Sequence, residues 1–136
     1  MQVKDIMSRN VITIDSNETI DHAAELMRQY DIGILPVIEN GKLSGVITDR
    51  DIVTRAIAQN KRPDSCPIGD LTSKSMVCAN PQQDVSDAAK TMAAQQVRRV
   101  PVVDGEKLCG MLSLGDISKN GCDAEVAQAL CEISKP

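Results

Sequence analysis

Apolar residues recur along the chain in two alternating rhythms. Val11-Ile12-Thr13-Ile14 is a short β-branched run that suits a strand. Ile20, Ala23, Ala24 and Met27 then fall at three- and four-residue spacing, the period of one helical face, which ends near Tyr30; Ser16 or Asn17 is placed to cap it. Two further runs, Ile34 to Ile38 and Leu43 to Thr48, flank Asn40-Gly41, a pair suited to the left-handed dihedrals of a tight hairpin. A short helical turn at Val3-Lys4-Asp5-Ile6-Met7 precedes all of this, and a helix from about Asp49 to Gln59 follows it. The predicted order is strand, helix, strand, strand, helix.

The same order returns about 65 residues later without a gap. Asp5 meets Asp70, Ser8 meets Ser73, Ala23-Ala24 meets Ala88-Ala89, and Met27 meets Met92. Pro36-Val37 meets Pro101-Val102, Lys42-Leu43 meets Lys107-Leu108, Gly45 meets Gly110, and Asp51-Ile52 meets Asp116-Ile117, with Asp104-Gly105 expected to turn the second hairpin. The chain therefore reads as a first repeat over residues 1–60, a linker over 61–67, a second repeat over 68–120, and a tail over 121–136. Val126, Leu130 and Ile133 give that tail helical spacing. One such repeat buries too little apolar area to offset chain entropy, so the two copies are expected to pack as one pseudo-twofold α/β module.

Composition narrows the function. The 136 residues are 42% hydrophobic and 25% charged, with a formal charge of −4, as in ordinary globular proteins. No run approaches the roughly 18 apolar residues of a membrane span, and the residues from Met1 to Asn10 carry no export signal. The acidic balance and the lack of a basic run argue against nucleic acid as a partner. Tyr30 is the sole aromatic, so base-stacking platforms and aromatic cages are excluded and any planar ligand must lie between aliphatic walls. Five cysteines, an odd number with no Cys-x-x-Cys pair, read as reduced, small apolar residues of a cytoplasmic protein, with Cys109 before Gly110 the one candidate for reactivity. With His22 the only histidine, no zinc set is present.

Chemistry concentrates after the last strand of each repeat. In Gly45-Val46-Ile47-Thr48-Asp49-Arg50-Asp51 and Gly110-Met111-Leu112-Ser113-Leu114-Gly115-Asp116, a hydroxyl and a carboxylate stand three residues apart. The hydroxyl and the free N–H groups of a helix start could hold phosphate, and the carboxylate could accept from ribose hydroxyls. The same spacing is also a capping box, which satisfies the helix's own donors, and spacing does not separate the two readings. Arg98-Arg99 before Val100-Pro101 could grip phosphate oxygens or form a solvated strand end. No phosphate-binding glycine loop, dinucleotide fingerprint or nucleophile elbow occurs, and no nucleophile or metal set accompanies the acids, so no enzyme is expected.

In the opening Val3-Lys4-Asp5-Ile6-Met7, the strand Ile34-Leu35-Pro36-Val37-Ile38, the motif Gly45 to Asp51 and their second-repeat partners, the chain resembles a tandem pair of CBS domains, the regulatory module named after cystathionine β-synthase. The resemblance implies ligand clefts between the repeats. Thr48 with Asp51, and Ser113 with Asp116, fall on the positions that contact phosphate and ribose of adenosine ligands. Val77, Cys78 and Ala79 would wall adenine beside Asp51, with Arg98 and Arg99 near phosphate; Ile12, Thr13 and Ile14 with Gly33 and Ile34 would serve Asp116, without a basic pair. The implied function is a stand-alone regulatory module that takes AMP, ADP or ATP, with S-adenosylmethionine or NADH as further candidates. It would form a homodimer and signal in trans to a protein target. The alternative is a ligand-free dimerisation or scaffold module.

Overall fold

The computed structural model of the chain describes residues 1–136 and is mixed α/β. In chain order the elements are α1 (Val3–Ile6), β1 (Ile14–Asp15), α2 (Ile20–Tyr30), β2 (Ile34–Glu39), β3 (Lys42–Thr48), α3 (Asp49–Asp51), α4 (Val85–Ala94), β4 (Arg99–Asp104), β5 (Lys107–Ser113), α5 (Leu114–Lys119) and α6 (Asp123–Ile133). A π-helix at Ile52–Ala56 and 3-10 turns at Ile57–Gln59 and Ile68–Asp70 complete them. No helix is long and apolar enough to cross a membrane.

The chain divides into two compact units that are staggered against the sequence repeats. Ile12–Met76 forms a contiguous unit, whereas Met1–Val11 joins Val77–Pro136 in a composite one. Each unit thus contains the opening segment of the other repeat. Val3 is fully buried in the composite core beside Val85, Met92 and Leu112, and its repeat partner Ile68 is fully buried in the contiguous core beside Ile20, Leu35 and Ile47.

Glycine explains how that segment is admitted. Ser8 and Met111 exchange two backbone hydrogen bonds of 2.9 Å, and Ser73 and Val46 exchange bonds of 3.0 and 3.2 Å. The neighbouring Gly110 and Gly45 lie under the crossing chain: a Cβ would stand 2.5 Å from the Ser8 carbonyl oxygen and 2.3 Å from that of Ser73. Only a residue without a side chain fits there.

In the contiguous unit β1 runs parallel to β2, which runs antiparallel to β3. The composite unit keeps only the β4–β5 hairpin, with Ala79 bridging Val102 at the place where Ile14 meets Val37. The cause is Pro81. Ser16 donates its N–H to Ile38 O at 2.9 Å, and the proline at the matching position has no N–H to give.

Three local expectations change. The cap of α2 is Thr19 rather than Ser16 or Asn17, because Asn17 N donates to Asp15 Oδ1 and Glu18 N to Asp15 O, which winds those residues into a turn first. The second hairpin turns on Gly105-Glu106, not Asp104-Gly105: Asp104 still pairs with Lys107, and only Gly105 has positive φ, whereas Asn40 and Gly41 both do. The helix expected from Asp49 to Gln59 is α-helical for its first turn only. Thr54 Oγ1 donates to the Arg50 carbonyl at 2.8 Å, and the backbone widens to π over Ile52–Ala56 before closing at Gln59.

Candidate functional site

Each hairpin delivers its last strand residue to the start of a helix, and the same local geometry results twice. Thr48 N donates to Asp51 Oδ2 at 2.9 Å while Asp51 N donates to Thr48 Oγ1 at 3.1 Å. Ser113 and Asp116 repeat both bonds at the same lengths. Both pairs are therefore complete capping boxes. Only one oxygen of each carboxylate is used this way.

The second oxygen distinguishes the two sites. Asp51 Oδ1 stands 3.8 Å from Nη1 of Arg55, one turn further on, whereas Asp116 Oδ1 has no partner; Asn120, at the position of Arg55, turns its Nδ2 to the Asp116 backbone carbonyl at 2.7 Å. Arg55 was not singled out in the sequence, although the four-residue spacing from Asp51 is itself an ion-pair signal.

The strand that opens each hairpin lies against the first turn of that helix. Asp49 N donates to Gly33 O at 3.0 Å and Ile34 pairs with Thr48. In the composite unit Leu114 N donates to Arg98 O at 3.1 Å and Arg99 pairs with Ser113. The backbone of the basic pair therefore adjoins Ser113 and Asp116. Both Arg98 and Arg99 are exposed, and neither guanidinium is tied to a protein carboxylate or carbonyl. Two unpaired guanidiniums at one strand entrance are competent to receive an anion.

The segments expected to wall an adenine alternate in direction. Thr13 and Cys78, which match in the repeat, are exposed; Ile14 and Ala79, their neighbours, are buried in the cores of their own units, and Val77 is half-buried against the composite core. Although Cys78 is exposed, the groups around it partly desolvate its thiol and push the pKa above its ordinary value. All five cysteines are free thiols, and no three His, Cys, Asp or Glu side chains come together as a metal-holding group.

Comparison with known proteins agrees with this twofold construction. The CBS domain model matches residues 3–57 and again residues 68–121. CBS domain-containing protein YhcV of Bacillus subtilis is 43% identical over 133 residues, covering 97% of this chain and 94% of its own. Among solved structures, Hypoxic Response Protein I with two coordinated zinc ions superposes with a TM-score of 0.80 at 33% identity, over 88% of this chain and 98% of that one. The CBS domain pair of MJ0100, in complex with 5′-methylthioadenosine and S-adenosyl-L-methionine, superposes with a TM-score of 0.76 at 34% identity, over 88% of this chain and 94% of that one. The chain belongs to the CBS domain family and carries the domain twice.

Proposed function

We propose that the chain is a regulatory module that binds an adenine nucleotide of the AMP, ADP or ATP class and signals to a protein partner in trans. The observation that carries this reading is the repeated carboxylate: Asp51 and Asp116 each hold the capping box through Oδ2, which leaves for ribose hydroxyls an unpartnered Oδ1 on Asp116 and, on Asp51, an Oδ1 held only at 3.8 Å from Arg55. Thr48 with Asp51, and Ser113 with Asp116, would each meet the phosphate and ribose of their own ligand; the free guanidiniums of Arg98 and Arg99 would neutralise the phosphate at Thr48, Val77, Cys78 and Ala79 would wall the base beside Asp51, and Thr13 and Ile14 the base beside Asp116, without aromatic stacking. The adenosine compounds held by the MJ0100 pair support the ligand class. No group in either site is arranged as a nucleophile with its base, so the role is recognition rather than turnover.

A thermal-shift screen against AMP, ADP, ATP, S-adenosylmethionine and NADH tests this directly. A ligand at about 100 times its Kd adds about 2.7 kcal/mol of stability. The expected result is a shift of several degrees with one adenine nucleotide that is lost in Asp51→Ala; no shift with any of the five overturns the reading.

A ligand-free scaffold is the second reading, and one observation favours it. Val53 and Ile57, on successive turns after Asp51, are 60% and 53% exposed, an apolar pair that a second copy of the chain would cover. A sedimentation experiment that finds dimer, together with an empty ligand screen, selects it.

A further inference from the structure

The contiguous unit has a polar cavity at the opposite end of its sheet from Thr48 and Asp51. Its volume is about 390 Å³, within the range of small-molecule sites. Three hydroxyls line it, those of Ser16, Ser44 and Thr72. Ser44 is the extra residue of the β3 bulge and donates to Val37 O at 3.3 Å, and Thr72 donates to Ile68 O at 2.8 Å, so both keep acceptor capacity. Ser16 is only 8% exposed, yet its Oγ makes no hydrogen bond to the protein. No buried side-chain polar atom lacks a partner, so the Ser16 Oγ opens onto the cavity, where a ligand group can reach it.

The internal repeat shows that these hydroxyls are not needed to build the fold. At the matching positions the composite unit has Pro81, Cys109 and Met7. Two of the three charged groups show the same contrast. Glu39, Asp70 and Lys74 line the cavity and form no ion pair. The counterparts of Asp70 and Lys74 are engaged locally: Asp5 Oδ2 accepts from Gln2 N at 2.9 Å, and Arg9 Nη2 donates to Lys4 O at 3.1 Å, whereas Asp104, the counterpart of Glu39, forms no ion pair either. Asp70 and Lys74 make no side-chain bond at all.

From this contrast we infer that the cavity is a binding site for a small amino acid with a cationic side chain. Two carboxylates and one ammonium leave the lining one negative charge in excess, which such a ligand balances. Its two cationic groups meet Glu39 and Asp70, its carboxylate meets Lys74, and the hydroxyl floor satisfies the remaining donors and acceptors. A lining of hydroxyls and charges offers nothing to an acyl chain or a flat apolar ring. This site is separate from the nucleotide reading and does not depend on it.

Isothermal titration of the full chain with L-lysine, L-arginine and L-ornithine at low ionic strength tests the inference, with L-norleucine as the isostere that lacks the side-chain charge. Saturable binding of at least one basic amino acid is expected, weakened at least about tenfold in Glu39→Gln and in Lys74→Met, as for loss of one charged hydrogen bond. Both substitutions are at exposed positions, and circular dichroism confirms folding of each variant. Ser16→Ala is expected to weaken binding while leaving the melting temperature near that of the parent. Absence of saturable heat, equal binding of norleucine, or full affinity in both charge variants overturns the assignment. Loss of binding in Asp51→Ala also overturns it, by moving the ligand to the other end of the sheet.

Discussion

Arg55 Nη1 donates a 2.9 Å hydrogen bond to the carbonyl oxygen of Leu71. That bond crosses from the π-helix to the segment after Ile68–Asp70 and holds the guanidinium 3.8 Å from Asp51 Oδ1. With side chains 45% and 21% exposed, the ion pair itself contributes little. The charged hydrogen bond to a half-shielded carbonyl contributes more. Arg55→Ala is expected to lower unfolding free energy by about 1–3 kcal/mol in urea titration, and Asp51→Asn by less. Equal losses in the two variants would show that the ion pair, not the Leu71 bond, is what Arg55 supplies.

The two capping boxes make matched predictions. Thr48→Ala and Ser113→Ala should each cost about 0.5–2 kcal/mol, because each leaves an N-terminal N–H without its acceptor. Calorimetric melting reads both. A nucleotide-dependent rise in melting temperature that survives both substitutions would assign the hydroxyls to capping alone.

The glycines separate by what lies above them. Gly45→Ala and Gly110→Ala press a methyl onto backbone carbonyls and should each destabilise by about 1–3 kcal/mol or more. Gly115, in the first turn of α5, meets nothing closer than Ser113 Oγ at 3.5 Å, so Gly115→Ala is expected to stabilise by about 0.4–1 kcal/mol. Chemical denaturation of the three variants should rank them in that order, and a neutral Gly45→Ala would refute the close approach.

Cys78 carries a pH prediction. Its pKa is raised by partial desolvation, so at neutral pH less of it is thiolate than of an ordinary cysteine, and alkylation by iodoacetamide should run slower than at a freely solvated thiol. The sign for stability follows from the same shift. Above the ordinary thiol pKa of about 8.5 the unfolded chain loses this proton while the folded one keeps it, so Cys78 favours unfolding progressively as the solution becomes more alkaline. In Cys78→Ser that part of the alkaline loss should disappear from a pH series of melting curves.

Local patterns were legible in the sequence where one segment carries its own reason. The face of α2 follows from Ile20, Ala23 and Met27, the first turn from Asn40-Gly41, and the Thr48–Asp51 and Ser113–Asp116 pairs from a three-residue spacing within one helical turn. What escaped depends on distant chain. The matched glycines at 45 and 110 marked the crossing of Ser73 and Ser8, but nothing local to them says which chain crosses. The π turn over Ile52–Ala56 is a change of hydrogen-bond register that an apolar period does not distinguish from α. The cavity at Ser16 gathers residues from the end of β1, the β2–β3 hairpin and the segment after Cys66, so no single stretch displays it.

The exchange of opening segments also fixes the order in which the two units can be finished as the chain leaves the ribosome. Everything from Ile12 to Met76 is contiguous, so every partner of Ile68 and Ser73 is present once that stretch has emerged. Val3 and Ser8 emerge before any of it, yet Ser8 pairs with Met111 and Val3 is buried beside Val85 and Leu112. Residues 1–11 are therefore placed only after the second repeat they pack against has emerged, and a ribosome stalled within that repeat would present a complete contiguous unit with Val3 and Ser8 still undocked.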